Sequence, residues 1–488
     1  MHALDWKRAP GEPQATMFPD APPAITTTVL APAETPGAQL GTSVSYAESY
    51  LAAGAIGTGS GAGMVQLWHG PDWTHTDWSP VATLTAPAPE ANAFYGASVS
   101  LFVPVNPFVE PSYGVVGEPR RDAAGPIADA GSAYLYTMLE EGQPWTLVTA
   151  LASPAPAPGE QFGFAVGVTR TLVAVSALQT GGGSGVVHVW RRDELGVWNY
   201  EAALLPSDGA AGDLFGSSIS IDGADGAERI AVGAPGADLP ATANCGKVYL
   251  FSYSAGSWTQ AAPISAAAPV AGDSFGRSVS LDGLNLAVGT QNASPFEKGR
   301  AFIFSRGSNS DPFTQAATLV APDADFADLF GAGVSLSGDL LAVSAFNDDV
   351  GLNLNQGSVY LFGDSGSGWT FSSKVSRGDG AGNDLFGSAI SLDGEFCAVG
   401  TPFDNVGASA DEGSVTLVWA RDCNEDGIPG RCLGLPGDFT GDGHVNGFDF
   451  GILLGNWGRV EPGFPADMNG DGEINGFDLG IFFGNWTG

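Results

Sequence analysis

Positive charge is scarce in this chain. Eighteen lysines and arginines stand against 53 aspartates and glutamates, a net charge of -35 over 488 residues. Such a field repels polyphosphate and anionic lipid at long range, so nucleic acid is not an expected partner. The same carboxylate excess suits a protein that gathers divalent cations and stays dispersed outside the cell. Four cysteines are too few for a disulfide scaffold. Cys423 and Cys432 nevertheless lie close together in DCNEDGIPGRC, where a bridge would staple a short loop and favour an oxidising compartment. No apolar run approaches the roughly 18 residues of a membrane span. The start, MHALDWKRAPGEPQ, lacks the apolar segment of an export signal. On that reading a signal has been removed, was lost to a misplaced start, or never existed, and secretion is argued from other features. Histidine is rare as well, at five, and none stands beside a nucleophile. GxSxG, HExxH and phosphate-loop patterns are absent.

What the chain has is turns. Seventy-one glycines and 33 prolines punctuate an apolar share of 44%, the composition of a turn-rich β protein. The element FGxSxSL returns seven times, its glycine at Gly41, Gly96, Gly163, Gly216, Gly276, Gly331 and Gly387. The spacing of roughly 60 residues is the size of one propeller blade. Each copy runs into a second apolar segment, such as IAVGAP from Ile230 or LAVSA from Leu341, and then a third, such as KVYLF or SVYLF. A fourth opens on an aromatic residue with an aliphatic one six positions later, as in Trp78 with Leu84 and Trp198 with Leu204. Asp-Gly pairs at Asp222, Asp282 and Asp393 fit two-residue hairpin turns.

Four strands per repeat predict a mainly β chain, a seven-bladed propeller of antiparallel blades. Only six fourth strands follow a third; the seventh is supplied upstream by ITTTVLAP, predicted to pair near Val415 to Val418 and close the ring. The expected divisions are a disordered or extended tail at 1–23, the propeller at 24–421, a linker at 422–436 and a small α-helical domain at 437–488. These columns resemble FG-GAP repeats, the blades of the integrin α-subunit head, with FGSSISIDG…IAVGAP at 215 to 235 the nearest copy. The resemblance implies the fold and a role in extracellular interaction. Family blades often carry a DxDxDGxxD calcium loop between their first two strands. Here that place holds DG turns, or DGADGAER with Arg229 at a ligand position, so calcium is not expected in the propeller.

The cation chemistry lies at the other end. DFTGDGHVNGFDFGILLGNWG from Asp438 and DMNGDGEINGFDLGIFFGNW from Asp467 align without a gap. Oxygen side chains occupy loop positions 1, 3, 5, 9 and 12, glycine turns the chain at position 6, and position 7 offers its carbonyl, the donor set of a hard cation. The first loop supplies Asp438, Thr440, Asp442, the carbonyl of His444, Asn446 and Asp449. The second supplies Asp467, Asn469, Asp471, the carbonyl of Glu473, Asn475 and Asp478. Two Ca2+ ions are expected, the first site weaker because Thr440 is neutral. Behind the loops, Phe450, Leu453, Leu454 and Trp457, and likewise Leu479, Phe482, Phe483 and Trp486, fall on one helical stripe, and two such helices are expected to bury each other.

This segment resembles a type I dockerin, an EF-hand-type calcium module that clips extracellular proteins onto cohesins. That resemblance implies a cohesin-like partner. Gly447-Phe448 and Gly476-Phe477 depart from it, standing where cohesin-reading dockerins place small polar pairs. The expected function is therefore a secreted or cell-surface calcium-binding scaffold of adhesion type. Its propeller loops would bind protein or polysaccharide, its module would anchor it, and it is expected to be monomeric without catalytic residues. The alternative is a component of a polysaccharide-degrading system with O-glycosyl hydrolase activity, whose paired carboxylates would converge across blades. His188, in the column of Tyr134, Tyr249, Phe302 and Tyr360, and Cys397, in that of Ile230, Leu286 and Leu341, are read as packing residues. The RGD at Arg377 to Asp379 is read as an ordinary interblade loop.

Overall fold

The computed structural model describes residues 25–30, 35–70, 78–104, 110–123, 127–178, 182–223, 225–291, 298–366, 368–407 and 409–420. At the C-terminal end it describes 450–451, 453–454, 457–458 and 474–484. Twenty-eight strands form seven four-stranded antiparallel sheets. Blade 1 runs from Leu40–Ala47 through Tyr50–Ala55 and Met64–His69 to Ser79–Leu84. The next five repeat that order, with first strands Ser98–Phe102, Val166–Val168, Ser218–Asp222, Ser278–Asp282 and Val334–Ser337. Blade 7 joins Ala389–Asp393, Phe396–Thr401 and Ser414–Trp419 to the N-terminal strand Ile25–Leu30. Ile25 faces Val418 and Leu30 faces Ser414, the pairing expected for ring closure.

The repeated motif is the joint between blades. Its glycine takes the third place of a turn closed, in blade 1, by the Thr42 amide donating to the Gln39 carbonyl at 3.3 Å. Gly41 holds φ +92° there, a region costly for any residue with a Cβ. The carbonyl of each such glycine then rests on the second strand of the preceding blade. A Cβ on Gly54, Gly233 or Gly289 would stand 1.9 Å from the carbonyl oxygen of Gly96, Gly276 or Gly331 respectively. The glycine of FG and the glycine of AVGA are thus two sides of one contact. Where the second-strand residue is Ser176 instead, its Cβ lies 2.7 Å from the Cβ position of Gly216.

The serines of the motif bond neighbouring blades around the ring. Ser45 accepts from the Leu101 amide, Ser100 from Val168, Ser220 from Leu281, Ser280 from Leu336, Ser335 from Leu392 and Ser391 from Tyr46, at 2.9 to 3.2 Å. The one junction without this bond follows blade 3, where Gly167 replaces the serine and a Cβ would meet Ile221 Cδ1 at 2.9 Å. Burial there substitutes for polarity.

The core consists of apolar layers between successive blades. One joins Val187, Val189 and Leu204 of blade 3 to Phe215, Ile230, Val232 and Tyr249 of blade 4. The motif aromatics Tyr95, Phe162, Phe215, Phe275, Phe330 and Phe386 are all at most 1% exposed. Phe215 meets Tyr249 edge-on at 5.4 Å and Phe330 meets Tyr360 at 5.3 Å. Cys397 lies in such a layer, and burial pushes its thiol up to about 12. Cys245 is equally buried, its thiol against the Ala237 carbonyl at 3.8 Å. The fourth strand of blade 4 stops at Gln260, and only a bridge from Val248 to Ile264 continues it, since Pro263 has no amide to donate.

In the C-terminal segment the helix Gly476–Gly484 packs Phe482 and Ile474 against Leu453, with Phe450 and Leu479 beside them. The apolar stripe is narrower than its spacing predicts. Leu454 and Trp457 are each 48% exposed and Phe483 52%. In the nine-residue helix Leu479 and Phe482, at i and i+3, turn toward the apolar cluster and Phe483, at i+4, is left outside. Trp486 lies outside the described residues.

Candidate binding face and calcium module

The first strand of each blade starts at the FG turn and runs away from it to its connection with the second strand, a two-residue Asp-Gly or Ser-Gly hairpin in blades 5, 6 and 7. The loops joining second to third strands and those joining blades therefore share the face of the FG turns. Four of the second-to-third connections carry a short antiparallel bridge, at Ala123–Ile127, Leu239–Thr242, Val350–Asn353 and Val406–Ser409. Each is braced by an Asx side chain accepting an amide six or seven residues on. Asp122 takes that of Asp129 at 3.0 Å, Asp238 of Asn244 at 2.7 Å, Asp349 of Asn355 at 2.8 Å and Asn405 of Asp411 at 3.0 Å. Each of these loops is thereby tied to its own base, and the tip of one carries Leu352, 99% exposed. The sequence marks these loops by length; the bracing column becomes visible only once the four loops are superposed.

Beneath the loops lies a layer of buried carboxylates, each engaged through at least one oxygen, with Glu118 Oε1 left unpartnered among the described residues. Glu118 accepts from the Tyr134 hydroxyl at 2.6 Å and pairs with Arg121 at 3.3 Å. Burial raises its pKa above the ordinary carboxylate range. Asp348 accepts from Ser358 at 2.5 Å and pairs with Lys374 at 2.8 Å. Asp404 accepts from Ser414 at 2.6 Å and pairs with Arg377. In the interblade loops Asp213, Asp328 and Asp384 each accept the amide three residues before them, at 2.8, 2.6 and 2.6 Å. Burial pushes Asp328 up to about 6.

Other singled-out residues also find places. Arg377 of the RGD is 7% exposed and bonds its own Asp379 at 2.9 Å as well as Ser414 at 2.7 Å, so the arginine is folded inward while Asp379 stays exposed. In DGADGAER, Arg229 pairs with Asp222, Asp225 with Arg170 and Glu228 with Arg191; protein cations occupy that loop. His188 is 7% exposed, its Nδ1 3.1 Å from the Tyr200 hydroxyl. Burial lowers its pKa to about 4.

Of the calcium-loop residues, Asp438, Thr440, Asp442, His444, Asn446, Asp449, Asp467, Asn469, Asp471 and Glu473 lie outside the described residues, as do Cys423 and Cys432. Asn475 immediately precedes the C-terminal helix and its carbonyl accepts the Leu479 amide at 3.2 Å. Asp478 falls within that helix.

A closed ring of seven antiparallel blades presenting braced loops on one face, followed by a short helical module, defines a repeat propeller with an appended module. Residues 198–251, 258–304, 313–362 and 369–417 match the FG-GAP repeat family, and residues 436–482 match the Dockerin type I domain. The chain thus carries FG-GAP repeats and a dockerin, a domain class that binds calcium and cohesin modules. No curated protein matches the chain. Among solved structures it is similar to Saccharomyces cerevisiae Sqt1, at 11% identity and a TM-score of 0.42, covering 80% of this chain and 98% of that one. Among the described residues no helix is long and apolar enough to cross a membrane.

Proposed function

We propose that this protein is a secreted assembly component. Its dockerin fixes it, in a calcium-dependent way, to a cohesin-like module, while the braced loop face of its propeller holds an extracellular protein or glycan. The observation that carries the reading is the dockerin match at 436–482 together with Leu454, Trp457 and Phe483, apolar and about half exposed on the helical segments behind the loops. Large apolar side chains left outward by so small a domain are what a docking partner covers. The two loops would each take one Ca2+ through Asp438, Thr440, Asp442, the His444 carbonyl, Asn446 and Asp449, and through Asp467, Asn469, Asp471, the Glu473 carbonyl, Asn475 and Asp478. The propeller binds its ligand without turning it over, a reading supported by the buried loop carboxylates, which are spent on amides, hydroxyls and cations.

Calorimetry on the full chain tests this. Calcium should bind at two sites, Asp467→Ala should remove one, and a cohesin module should be captured in calcium and released by chelator. The propeller's own melting transition should persist in chelator. Absence of calcium heat would overturn the module's role. Release of reducing sugar from a polysaccharide, abolished by changing one loop carboxylate to its amide, would replace the binder with a hydrolase.

A further inference from the structure

Five blades converge on a cavity of about 330 Å³ at the FG-turn face. Its lining includes Ala97, Phe164, Ser217, Arg277 and Ala332, the residues that follow the motif glycine in blades 2 to 6. Only the propeller axis is shared by five such positions, so the cavity is axial. In this column of small or neutral side chains Arg277 is the exception. Among the described residues its guanidinium makes neither an ion pair nor a hydrogen bond, and burial alone acts on it, holding its pKa below the usual arginine value. The second cation of the cavity, Arg120, sits 4.6 Å over the Phe94 ring and likewise has no carboxylate partner.

Elsewhere most described cations are spent on carboxylates, and Arg306 and Lys298, which meet none, bond carbonyl or amide oxygens instead. Arg121, Arg170, Arg191, Arg229, Lys247, Arg300, Lys374 and Arg377 all pair with Asp or Glu. With 53 acids available for 18 bases, a half-buried arginine that faces none is a vacancy in the pairing pattern. Leaving such a charge desolvated costs stability that a bound anion returns.

We propose that the axial cavity is a binding site for a carboxylate-bearing sugar, a hexuronate. Arg277 receives the carboxylate through its planar fork, Arg120 adds charge at the rim, Gln161 and Ser217 supply hydrogen bonds, and Phe94 and Phe164 offer ring surface to the pyranose. The volume is at the small end of ligand sites, roughly 300 to 1,000 Å³, which suits one ring rather than a chain segment. A guanidinium selects a planar, two-oxygen anion over a neutral hydroxyl. The site deepens the binding role proposed for the propeller but stands apart from the calcium module, so the two fail separately.

The test is calorimetric titration of the full chain with glucuronate, in calcium and in chelator, with glucose, glutamate and sulfate as comparison ligands. Glucuronate should bind saturably under both conditions, and the other three far more weakly. Arg277→Gln should weaken binding by roughly 10- to 100-fold, the worth of a charge-assisted hydrogen bond. Because Arg277 supports no fold contact, the variant's melting temperature should equal or exceed the parent's; Arg120→Gln, exposed and bonded only through its backbone, should give a smaller loss. No saturable glucuronate binding, equal affinity for glutamate or sulfate, or unchanged affinity in Arg277→Gln overturns the assignment. Loss of calcium heat alone leaves it standing.

Discussion

His188 occupies a position where other blades place Tyr134, Tyr249, Phe302 or Tyr360, and its Nε2 is buried without a hydrogen-bond partner. Burial holds the folded pKa near 4 against an ordinary 6.5. As pH falls below 6.5 the unfolded chain takes a proton that the folded chain refuses, so stability declines until about pH 4 and then levels. The full difference amounts to roughly 3 kcal/mol. Asp328 acts in the opposite sense. Its folded pKa near 6 lies above the ordinary 3.8, so the folded chain binds the proton first and gains stability as pH drops through that window. The two must be separated by difference. His188→Phe should match the parent's melting temperature at pH 7 or exceed it slightly, and exceed it by a growing margin from pH 6.5 to pH 4. A constant margin across that range would mean that the imidazole titrates normally.

At the scale of the strand and its joint, the glycines divide into two kinds that the sequence spells alike. Gly289, the last residue of a strand, is pressed against the Gly331 carbonyl; Gly283, in the hairpin before that strand, holds φ +56° with open space around it. Gly289→Ala must push two blades apart and should cost about 3 kcal/mol or more. Gly283→Ala meets only the left-handed backbone penalty, about 1–2 kcal/mol. Denaturant unfolding of both variants distinguishes them, and an equal loss would mean that the interblade contact yields freely. The motif's regularity was legible because both halves of the joint recur at a fixed spacing. Its meaning was less so: the second serine of FGxSxS bonds the next blade, about 60 residues away, and a one-dimensional pattern does not say which repeat a side chain serves. Arg277 carried a signal, as the one cation in its column, but that column points to nothing until five copies meet on the axis.

For the whole molecule the decisive contact is the one between the ends of the chain. Blade 7 takes three strands from residues 389–419 and its fourth from residues 25–30, so the last blade is complete only while the first strand stays paired with the last. The closure was legible because one of seven fourth strands was missing after SVTLVWA and ITTTVLAP stood ready upstream; an absence in a strict repeat is as informative as a presence. Closure also extends beyond the strand itself. Leu40 and Gly413 form a bridge, the Gly37 amide donates to Ala410 at 2.8 Å and the Tyr46 amide to Ser391 at 3.0 Å, so blade 1 docks on blade 7 by devices that recur at most of the other junctions. Removing residues 1–32 deletes the strand but leaves those joints. The ring should then persist with one exposed sheet edge rather than fall open, melting at a lower temperature and self-associating through Ser414–Trp419, a strand whose amides and carbonyls have lost their partner. Adding back a peptide of sequence ITTTVL should raise the melting temperature and restore a single species in sedimentation. A truncated chain that melts unchanged and remains monomeric would show that the pairing of Ile25–Leu30 contributes nothing to the closed ring.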